Sequence, residues 1–375
     1  MTDTVHVLGL GGVGVLVAHA LAGVSVRPRL NLLLHRPRDH YSGPLAVARN
    51  GATTYQSSFT VEEYRNGCWY RMPFHSYAQP ARHTQCRERL LNETSIRFLV
   101  VAVKAHHTVN SVRLIKNRLS NHSTILFLQN GLGVLDELDA ELFPNPRERP
   151  YYMSGIVTHC MHRKGFLSAV HTATGSIALG TAPRIDGVLD ASVSYKAAPD
   201  AERLTGILRQ ADTLNVSLHD PPALLQQQLI KLAINSFYNP LTALLGCSVK
   251  ELISLNDPHV QAISDALIGE LSDIIRALPL SELIGKKDVE TEFSPVGLKK
   301  TIYEIGLRAG DHTTSMLQDI KNGAKTEIMY LNGFFLRWGL KLGVDCPVNA
   351  MITRLVLEKE NRGLEEGSER GLTGS

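Results

Sequence analysis

The glycine-rich segment GLGGVG, close to the start of the chain, constrains the fold more than any other feature of the sequence. The aliphatic run VHVLGL leads into it and is typical of a buried parallel strand, and helical periodicity follows. Glycines in a strand–turn–helix unit permit a tight turn, the approach of a pyrophosphate and close helix-to-strand packing. The motif predicts a dinucleotide site, with a ligand-free glycine turn as the alternative. Its residues are Gly9, Leu10, Gly11, Gly12, Val13 and Gly14.

The segments after the motif predict an α/β domain. The run Leu30 to Leu34 lies where the second strand of a βαβ unit is expected. Phe98 to Val103 and Thr124 to Leu128 predict two more strands, with a helix of about a dozen residues between them. We therefore predict an N-terminal Rossmann-type doubly wound sheet over residues 1–222. The first helix is predicted to bury one face, formed by Val13, Leu16, Val17, Ala20 and Leu21.

The chain beyond the pair Pro221 and Pro222, which we expect to break it, has helical periodicity. We predict an all-helical substrate-binding domain over residues 223–375, whose charged tail frays from about Glu358. Leu45 to Arg97, interrupted by prolines, is predicted to be an irregular insertion. The clearest helical segments are Leu224 to Leu245, Val260 to Leu278 and Thr326 to Leu342.

Composition limits the partners of the chain. Of its 375 residues 43% are hydrophobic, and its net charge of +3 is too small to drive binding to a nucleic acid. Residues 5–26 carry no charge, but their five glycines belong to the turn motif better than to a membrane anchor. Five scattered cysteines form no CxxC, and the histidines form no HExxH. We expect a cytoplasmic protein with a small-molecule partner, no nucleic-acid or membrane partner and no metal.

The end of the second predicted strand bears on the choice of cofactor. An NAD-binding unit places an acidic residue there, which accepts hydrogen bonds from the ribose hydroxyls. This sequence has His35 and Arg36 instead. Because Arg36 could pair with a 2′-phosphate, NADP is favoured over NAD. The alternative is that Arg36 is a solvated surface residue and Asp39 is the ribose ligand.

Two later strands also end in residues suited to ligand binding. Lys104 ends FLVVAVK, and Asn130 lies in LQNGLG after the next strand. Open α/β sheets bind their ligands at the carboxyl ends of their strands, so both residues are candidates for binding the cofactor or, for Asn130, the substrate. A plain turn is the alternative for each.

A polar stripe crosses an apolar helix of the second half. Lys231, Asn235 and Asn239 lie at four-residue intervals in KLAINSFYNPLTAL and therefore share one helical face. Pro240 is expected to kink the helix and to leave carbonyls free to meet a ligand. The stripe predicts a cleft-facing site, with an ordinary solvent face as the alternative.

A second polar group lies in TTSMLQDIKNGAKTEI, where Ser315, Asp319 and Glu327 are the candidates. Thr326 and Glu327 together are also typical of a helix start, with threonine as the N-cap and glutamate favoured by the helix dipole. Spacing alone favours that structural interpretation.

Taken together and in this order, the motifs resemble the ketopantoate reductase family, the 2-dehydropantoate 2-reductases. The resemblance spans Val5 to about Leu357. It implies a Rossmann domain followed by a helical domain, with NADPH and a 2-ketoacid bound in the cleft between them. The oligomeric state is left open, with a homodimer as one alternative. The motifs are GLGGVG, VAVKAHHT, LQNGLGVL, KLAINSFYNPLTAL, SMLQDIKNGAKTEIMYLNG and GVDCPVN.

The resemblance also implies roles for the candidate residues. Lys231 is the implied general acid and Glu327 the implied acceptor from the substrate hydroxyl. Arg36 and Lys104 are implied to contact the adenosine phosphate end of NADPH. The implied substrate-binding residues are Asn130, which also lies near the nicotinamide, Asn235, Asn239 and Ser315.

Two departures from the family pattern put the substrate in doubt. Met329 follows TEI where the family often has an acidic residue, and Leu45 to Arg97 does not align. The expected activity is NADPH-dependent reduction of ketopantoate on the pantothenate and coenzyme A route. The alternatives are a reductase of another branched 2-ketoacid and a non-catalytic regulatory paralogue, which would have lost Lys231 and Glu327.

Overall fold

The computed structural model describes residues 3–36, 43–72, 88–90, 94–185, 199–280 and 284–372, with side chains to residue 364. Asp39, the alternative ribose ligand, lies outside them. The chain forms two compact units. The first comprises Met1–Gln129, Val134–Pro183 and Ser192–Leu224, and the second comprises Asn130–Gly133, Arg184–Ala191 and Leu225–Ser375.

The first unit contains two sheets among its described residues, and the α/β fold class is confirmed. One sheet has the order β14-β13-β10-β9-β8-β1-β2-β5-β6-β7, and the other has the order β11-β12-β3-β4. The strands are β1 (Thr4–Leu8), β2 (Arg29–Leu34), β3 (Leu45–Arg49), β4 (Ala52–Gln56), β5 (Thr60–Arg65), β6 (Cys68–Met72), β7 (Glu88–Arg89), β8 (Phe98–Val101), β9 (Thr124–Phe127), β10 (Tyr151–Val157), β11 (Cys160–Gly165), β12 (Ser168–Ala173), β13 (Ile177–Thr181) and β14 (Val216–Leu218).

The centre of the larger sheet is parallel, as the doubly wound prediction requires. β1 pairs in parallel with β2 and β8, and β9 continues the parallel set to β10. On either side of this parallel centre, β6 pairs antiparallel with β5, and β13 pairs antiparallel with β10. The carboxyl ends of β1, β2 and β8 therefore share one edge, where the first helix begins.

The first helix, α1 (Gly12–Ala22), packs against both sheets, so the prediction of a single buried face was incomplete. Of the predicted residues, Leu16, Val17, Ala20 and Leu21 are buried and Val13 is half-buried. Val15, Ala18 and Ala22 are buried as well, in one core with Leu45 of β3 and Ala169 of β12. The prediction of an irregular insertion after Leu45 was wrong for the described residues. β3 and β4 cover α1, and β5, β6 and β7 extend the larger sheet.

The other helices include a long one, α5, whose prolines act differently from the prediction. Pro221 and Pro222 open α5 rather than only breaking the chain, which suits proline because the first turn needs no N–H partner. The helices are α2 (Thr108–Arg113), α3 (Val134–Glu141), α4 (Pro199–Arg209), α5 (Pro221–Leu245), α6 (Val249–Ser254), α7 (Pro258–Ala277), α8 (Lys286–Glu292), α9 (Pro295–Ala309), α10 (Ser315–Lys321), α11 (Asn332–Leu342) and α12 (Pro347–Leu372).

Helix α5 also continues through Pro240. Proline has no N–H to donate to the carbonyl four residues earlier, which here belongs to Ser236. The buried Asn332, at the start of α11, donates from Nδ2 to that carbonyl at 2.9 Å and to Oδ1 of Asn349 at 2.8 Å. The expectation that Pro240 frees a carbonyl for a ligand is therefore wrong for Ser236, because a protein side chain already occupies this acceptor.

The sequence predicts a tail that frays from about Glu358, but the C-terminal helix α12 continues past this residue. Lys359 donates from Nζ to the carbonyl oxygens of Ala243 and Leu244, at 2.9 and 3.0 Å, at the end of α5. Glu360 is only 8% exposed and accepts hydrogen bonds from Thr326. These long-range contacts hold residues that composition alone assigns to a tail.

Within the described parts of the chain, no helix is both long and apolar enough to span a membrane. The uncharged residues 5–26 form β1 and α1 instead.

We expect Asn332→Ala to lower the free energy of unfolding by about 1–3 kcal/mol, because it leaves the Ser236 carbonyl without a donor. Pro240→Ala restores a main-chain N–H for that carbonyl, so Asn332→Ala should cost less in the Pro240→Ala background. Urea unfolding of both single variants and the double variant measures the difference. An equal cost in the two backgrounds would contradict the assignment.

Candidate active site

The glycine turn between β1 and α1 has the geometry that a dinucleotide needs. Gly9 adopts φ +99°, which side-chain-bearing residues rarely adopt, and a Cβ there would lie 2.6 Å from the Val103 nitrogen. A Cβ on Gly14 would lie 1.9 Å from the carbonyl oxygen of Gly9. These two glycines therefore permit the turn and the close packing of α1 on the sheet.

Gly11 differs from them, because a Cβ built there would meet no atom within 4 Å. Its carbonyl accepts from the Val15 N–H at 2.9 Å, so it begins the helix. No side chain caps α1, and its first turn contains no acidic residue. Open space beside an uncapped helix N-terminus suits an anion, so this turn fits the diphosphate of a dinucleotide. Leu10 is buried in the core, whereas Gly12 and Val13 are half-buried in the turn.

Arg36 lies just after β2 and Lys104 just after β8, at the same sheet edge. Nη2 of the exposed Arg36 lies 2.9 Å from Nε2 of His107, in the short 3₁₀ turn that follows Lys104. The half-buried Lys104 accepts the His107 N–H through its carbonyl at 2.9 Å. The structure thus brings both predicted phosphate-binding cations to the ends of the two strands that flank β1.

The pKa of His35 is lowered to about 4, mainly by burial and also by the positive charges of Arg36 and His107. His35 is therefore neutral near neutral pH, and the positive charge at the end of β2 resides on Arg36.

In the second unit, the polar stripe lies on the continuous helix α5. Lys231 and Asn235 are half-buried, and Asn239 is 6% exposed, so the stripe is not an ordinary solvent face. Helical geometry aligns the three side chains because α5 remains helical through Pro240.

The loop that carries Asn130 packs within the second unit, against the turn after Glu327. The Leu132 N–H donates to the Tyr330 carbonyl at 3.0 Å. Gly131, at φ +84°, lets the loop approach, since a Cβ there would lie 2.5 Å from the same oxygen. Asn130 and Glu327 therefore lie within a few residues of one shared hydrogen bond.

Arg337 of α11 joins the same two segments. Its Nη1 donates to the Met329 carbonyl at 2.9 Å, and its Nη2 donates to the Leu132 carbonyl at 3.5 Å. The position of Arg337 is further defined by Gly133, where a Cβ would lie 2.6 Å from Nη2.

The helix-start interpretation of Thr326 and Glu327 was wrong. A 3₁₀ turn, Ile328–Tyr330, follows Glu327, and the α-helix begins only at Asn332. The half-buried Glu327 makes no capping hydrogen bond to that turn. The Thr326 hydroxyl accepts the Ile328 N–H of that 3₁₀ turn at 3.4 Å and donates to Glu360. The pattern misled because a threonine–glutamate pair has the same local signature in either setting.

Ser315 is the exposed first residue of α10, next to Thr314. The Thr314 hydroxyl caps α10 by accepting the Leu317 N–H at 3.4 Å and lies 2.7 Å from the Thr242 hydroxyl of α5. Ser315 therefore directly follows a residue that contacts α5, the helix that bears the stripe.

The sequence did not single out Asn332, Arg337 or Glu360 as contributors to this site. Only Asn332 had a usable signal, because Pro240 implies an unpaired carbonyl four residues earlier that needs a donor. Arg337 and Glu360 bind other segments of the chain, at Leu132 and Met329 for Arg337 and at Thr326 for Glu360.

Comparison with known proteins supports the interpretation of these motifs. Residues 5–184 match the family model described as ketopantoate reductase PanE/ApbA, and residues 223–360 match that of the ketopantoate reductase PanE/ApbA C terminal. The chain belongs to the ketopantoate reductase family. A family member of this kind is an oxidoreductase, and its relatives support a nicotinamide cofactor.

Similar proteins differ in the substrates that their names give. A probable 2-dehydropantoate 2-reductase of Schizosaccharomyces pombe is 26% identical over 97% of this chain and 98% of its own length. The ketoisovalerate reductase of Beauveria bassiana is 24% identical over 92% of this chain and 80% of its own. The crystal structure of a ketopantoate reductase from Ralstonia eutropha JMP134 shares the fold, with a TM-score of 0.67, 21% identity and coverage of 96% of this chain and 99% of that one.

Two glycine substitutions separate packing from ligand binding in this ketopantoate reductase family member. Gly14→Ala should destabilise the fold by about 1–3 kcal/mol, because the methyl group would overlap the Gly9 carbonyl. Gly11→Ala should change stability by less than about 0.5 kcal/mol and yet weaken reduced-cofactor binding about tenfold or more. Melting curves and fluorescence titration measure the two effects. Unimpaired cofactor binding by Gly11→Ala would contradict the assigned site.

Proposed function

We propose that this chain catalyses the NADPH-dependent reduction of ketopantoate to pantoate, a step on the route to pantothenate and coenzyme A. The observation that carries the proposal is the half-buried polar stripe with Lys231 on α5, in a chain that belongs to the ketopantoate reductase family. The S. pombe relative, aligned over nearly its whole length, favours the same substrate.

The proposed cofactor site lies in the first unit, at the sheet edge where the glycine turn joins β1 to α1. A bound NADPH supplies the hydride for the carbonyl carbon. Gly11 would leave room for its diphosphate, and the backbone N–H groups of the first turn of α1 would hold its negative charge. Arg36 and Lys104 would hold the adenosine phosphate end. A guanidinium suits a 2′-phosphate because it can donate two parallel hydrogen bonds, which supports NADPH rather than NADH.

Lys231 is the proposed general acid. As hydride reaches C2, negative charge develops on the carbonyl oxygen, and an ammonium group stabilises that charge at close range. One proton then passes from Nζ of Lys231 to this oxygen, which gives the hydroxyl of the product. A lysine suits this step because it can both carry the charge and release the proton.

The remaining residues of the second unit are proposed to select the substrate. Glu327 would accept a hydrogen bond from the C4 hydroxyl of ketopantoate. Asn235, Asn239 and Ser315 would hold the substrate with its carboxylate, and Asn130 would lie near both substrate and nicotinamide. The Leu132–Tyr330 hydrogen bond supports this grouping, because it ties the Asn130 loop to the segment after Glu327.

A second candidate function is the reduction of another branched 2-ketoacid. Two observations favour it: the ketoisovalerate reductase among the relatives, and Met329, which is 43% exposed where the family often has an acidic residue. A regulatory paralogue without catalysis is disfavoured, because Lys231 and Glu327 are both retained. A homodimer stays a prediction.

We expect Lys231→Ala to lower kcat by about two to four orders of magnitude, because proton donation and charge stabilisation act at the transition state. NADPH should bind as it does to the unmodified protein. Lys231→Arg should restore only part of the rate, since a guanidinium hardly releases a proton at neutral pH. Stopped-flow or steady-state rates with a parallel NADPH titration measure both effects, and near-normal turnover by Lys231→Ala would refute the role.

Glu327→Ala tests the substrate. Loss of one charged hydrogen bond costs roughly 1.5–3 kcal/mol, so kcat/KM for ketopantoate should fall about ten- to a hundred-fold or more. The analogue 2-ketoisovalerate lacks the hydroxyl and should lose much less. Steady-state kinetics with both ketoacids, and a melting curve to verify folding, make the comparison. Equal losses for both would favour the broader 2-ketoacid reductase.

A further inference from the structure

A buried carboxylate is hydrogen-bonded to the segment that bears Glu327. Oε2 of Glu360 accepts two hydrogen bonds, from the Thr326 N–H and from the Thr326 hydroxyl, each at 2.8 Å. Glu360 is 8% exposed and Thr326 is 6% exposed. The two bonds fix both the main chain and the side chain of the residue that immediately precedes Glu327.

The placement of this carboxylate calls for a reason beyond general stability. Burial of a charged group away from water is costly unless hydrogen bonds compensate for it, and an uncharged pair is often as stable. Glu360 is on α12, whereas Thr326 belongs to a segment without α-helix between α10 and α11. Main-chain hydrogen bonds join Ala324 to Asp319 and Tyr330 to Glu327, whereas the Thr326 N–H between them is bound by Glu360. A charge-assisted anchor therefore constrains the chain at the point just before Glu327.

The neighbouring residue of α12 anchors the other substrate element. Lys359 donates to the Ala243 and Leu244 carbonyl oxygens at the end of α5, the helix with Lys231. Consecutive residues of α12 therefore hold the general-acid helix and the Glu327 segment. A single turn of α12 sets the position of both relative to the same rigid element.

We propose that Glu360 is a positioning residue that holds Glu327 in place to recognise the substrate hydroxyl. The inference rests on the role of Glu327 in the proposed function. Glu360 acts through Thr326 and does not itself meet the substrate. Its removal should therefore impair recognition of the hydroxyl-bearing ketoacid and leave proton donation by Lys231 intact.

Kinetics with two ketoacids test this role. Glu360→Ala should raise KM for ketopantoate about tenfold, with a change in kcat of less than about threefold, because the hydroxyl contact is weakened while the general acid is untouched. Its kinetics with 2-ketoisovalerate, and its affinity for NADPH, should stay within about twofold of the unmodified protein. Thr326→Ser keeps the hydroxyl and should behave as the unmodified protein does, whereas Thr326→Val should show a smaller increase in KM in the same direction.

Glu270 provides a matched control. Its two carboxylate oxygens accept the N–H groups of Val348 and Asn349 at 2.8 Å each, at the other end of α12. Glu270→Ala removes a comparable pair of hydrogen bonds and should lower the melting temperature without discriminating between the two ketoacids. If Glu360→Ala also affects both ketoacids equally, or affects neither, Glu360 has only a structural role and the inference is wrong.

Amide hydrogen exchange gives a readout that does not depend on the substrate. Exchange of residues 326–331 should accelerate in Glu360→Ala and not in Glu270→Ala. Unchanged exchange in this segment would overturn the inference, even if the kinetics changed. If the unmodified protein reduced neither ketoacid, the proposed function would fail, and the anchor would be judged on exchange alone. The two failures are thus distinguishable.

Discussion

The hydrogen bond from Asn332 to the Ser236 carbonyl is the interaction on which the candidate site depends. Pro240 cannot supply the donor for that carbonyl, and its ring crowds the preceding turn. Asn332 satisfies the acceptor from outside the helix, so α5 continues to Leu245. Without this continuity, Lys231 and Asn239 would not share one helical face, and the polar stripe would not exist as a unit.

The C-terminal helices supply the rest of the framework. α11 contributes Asn332 at its start and also Arg337, whose side chain joins the Asn130 loop to the segment after Glu327. α12 contributes Lys359 and Glu360. Outside α5, the site residues therefore lie on short segments, and polar side chains of α11 and α12 contribute to their positions. In such an arrangement, hydrogen bonds from rigid helices determine where the site residues lie, and the local structural preferences of each segment matter less.

The sequence was sufficient for features that depend on local pattern. Three predictions of this kind are confirmed: the glycine turn, the parallel strands at the centre of the larger sheet and the helical second half. Periodicity and turn chemistry act over a few residues, so a local pattern is enough to reveal them. Pairing between distant segments was not predictable in this way. β3 pairs with β12, more than a hundred residues later, and the edge strand β4 is largely exposed and lacks an apolar alternation.

The same limit explains the errors at the site. A charged stretch such as that after Glu358 has the composition of a tail, and only the distant Thr326 and the end of α5 reveal that Glu360 and Lys359 are anchored. Thr326 and Glu327 resemble a helix start in one dimension, and the acceptor that defines Thr326 lies on another helix. Local signals thus identified the chemistry of the side chains, whereas their geometry depended on long-range hydrogen bonds.

NADPH-dependent reduction of ketopantoate is the activity proposed for the unmodified protein. Its most direct test is kcat/KM for ketopantoate and for 2-ketoisovalerate, each with NADPH and with NADH at equal concentrations. We expect ketopantoate with NADPH to be the best pair, with NADPH preferred over NADH by about tenfold or more because of Arg36. Equal rates with both cofactors, or faster turnover of 2-ketoisovalerate, would contradict it.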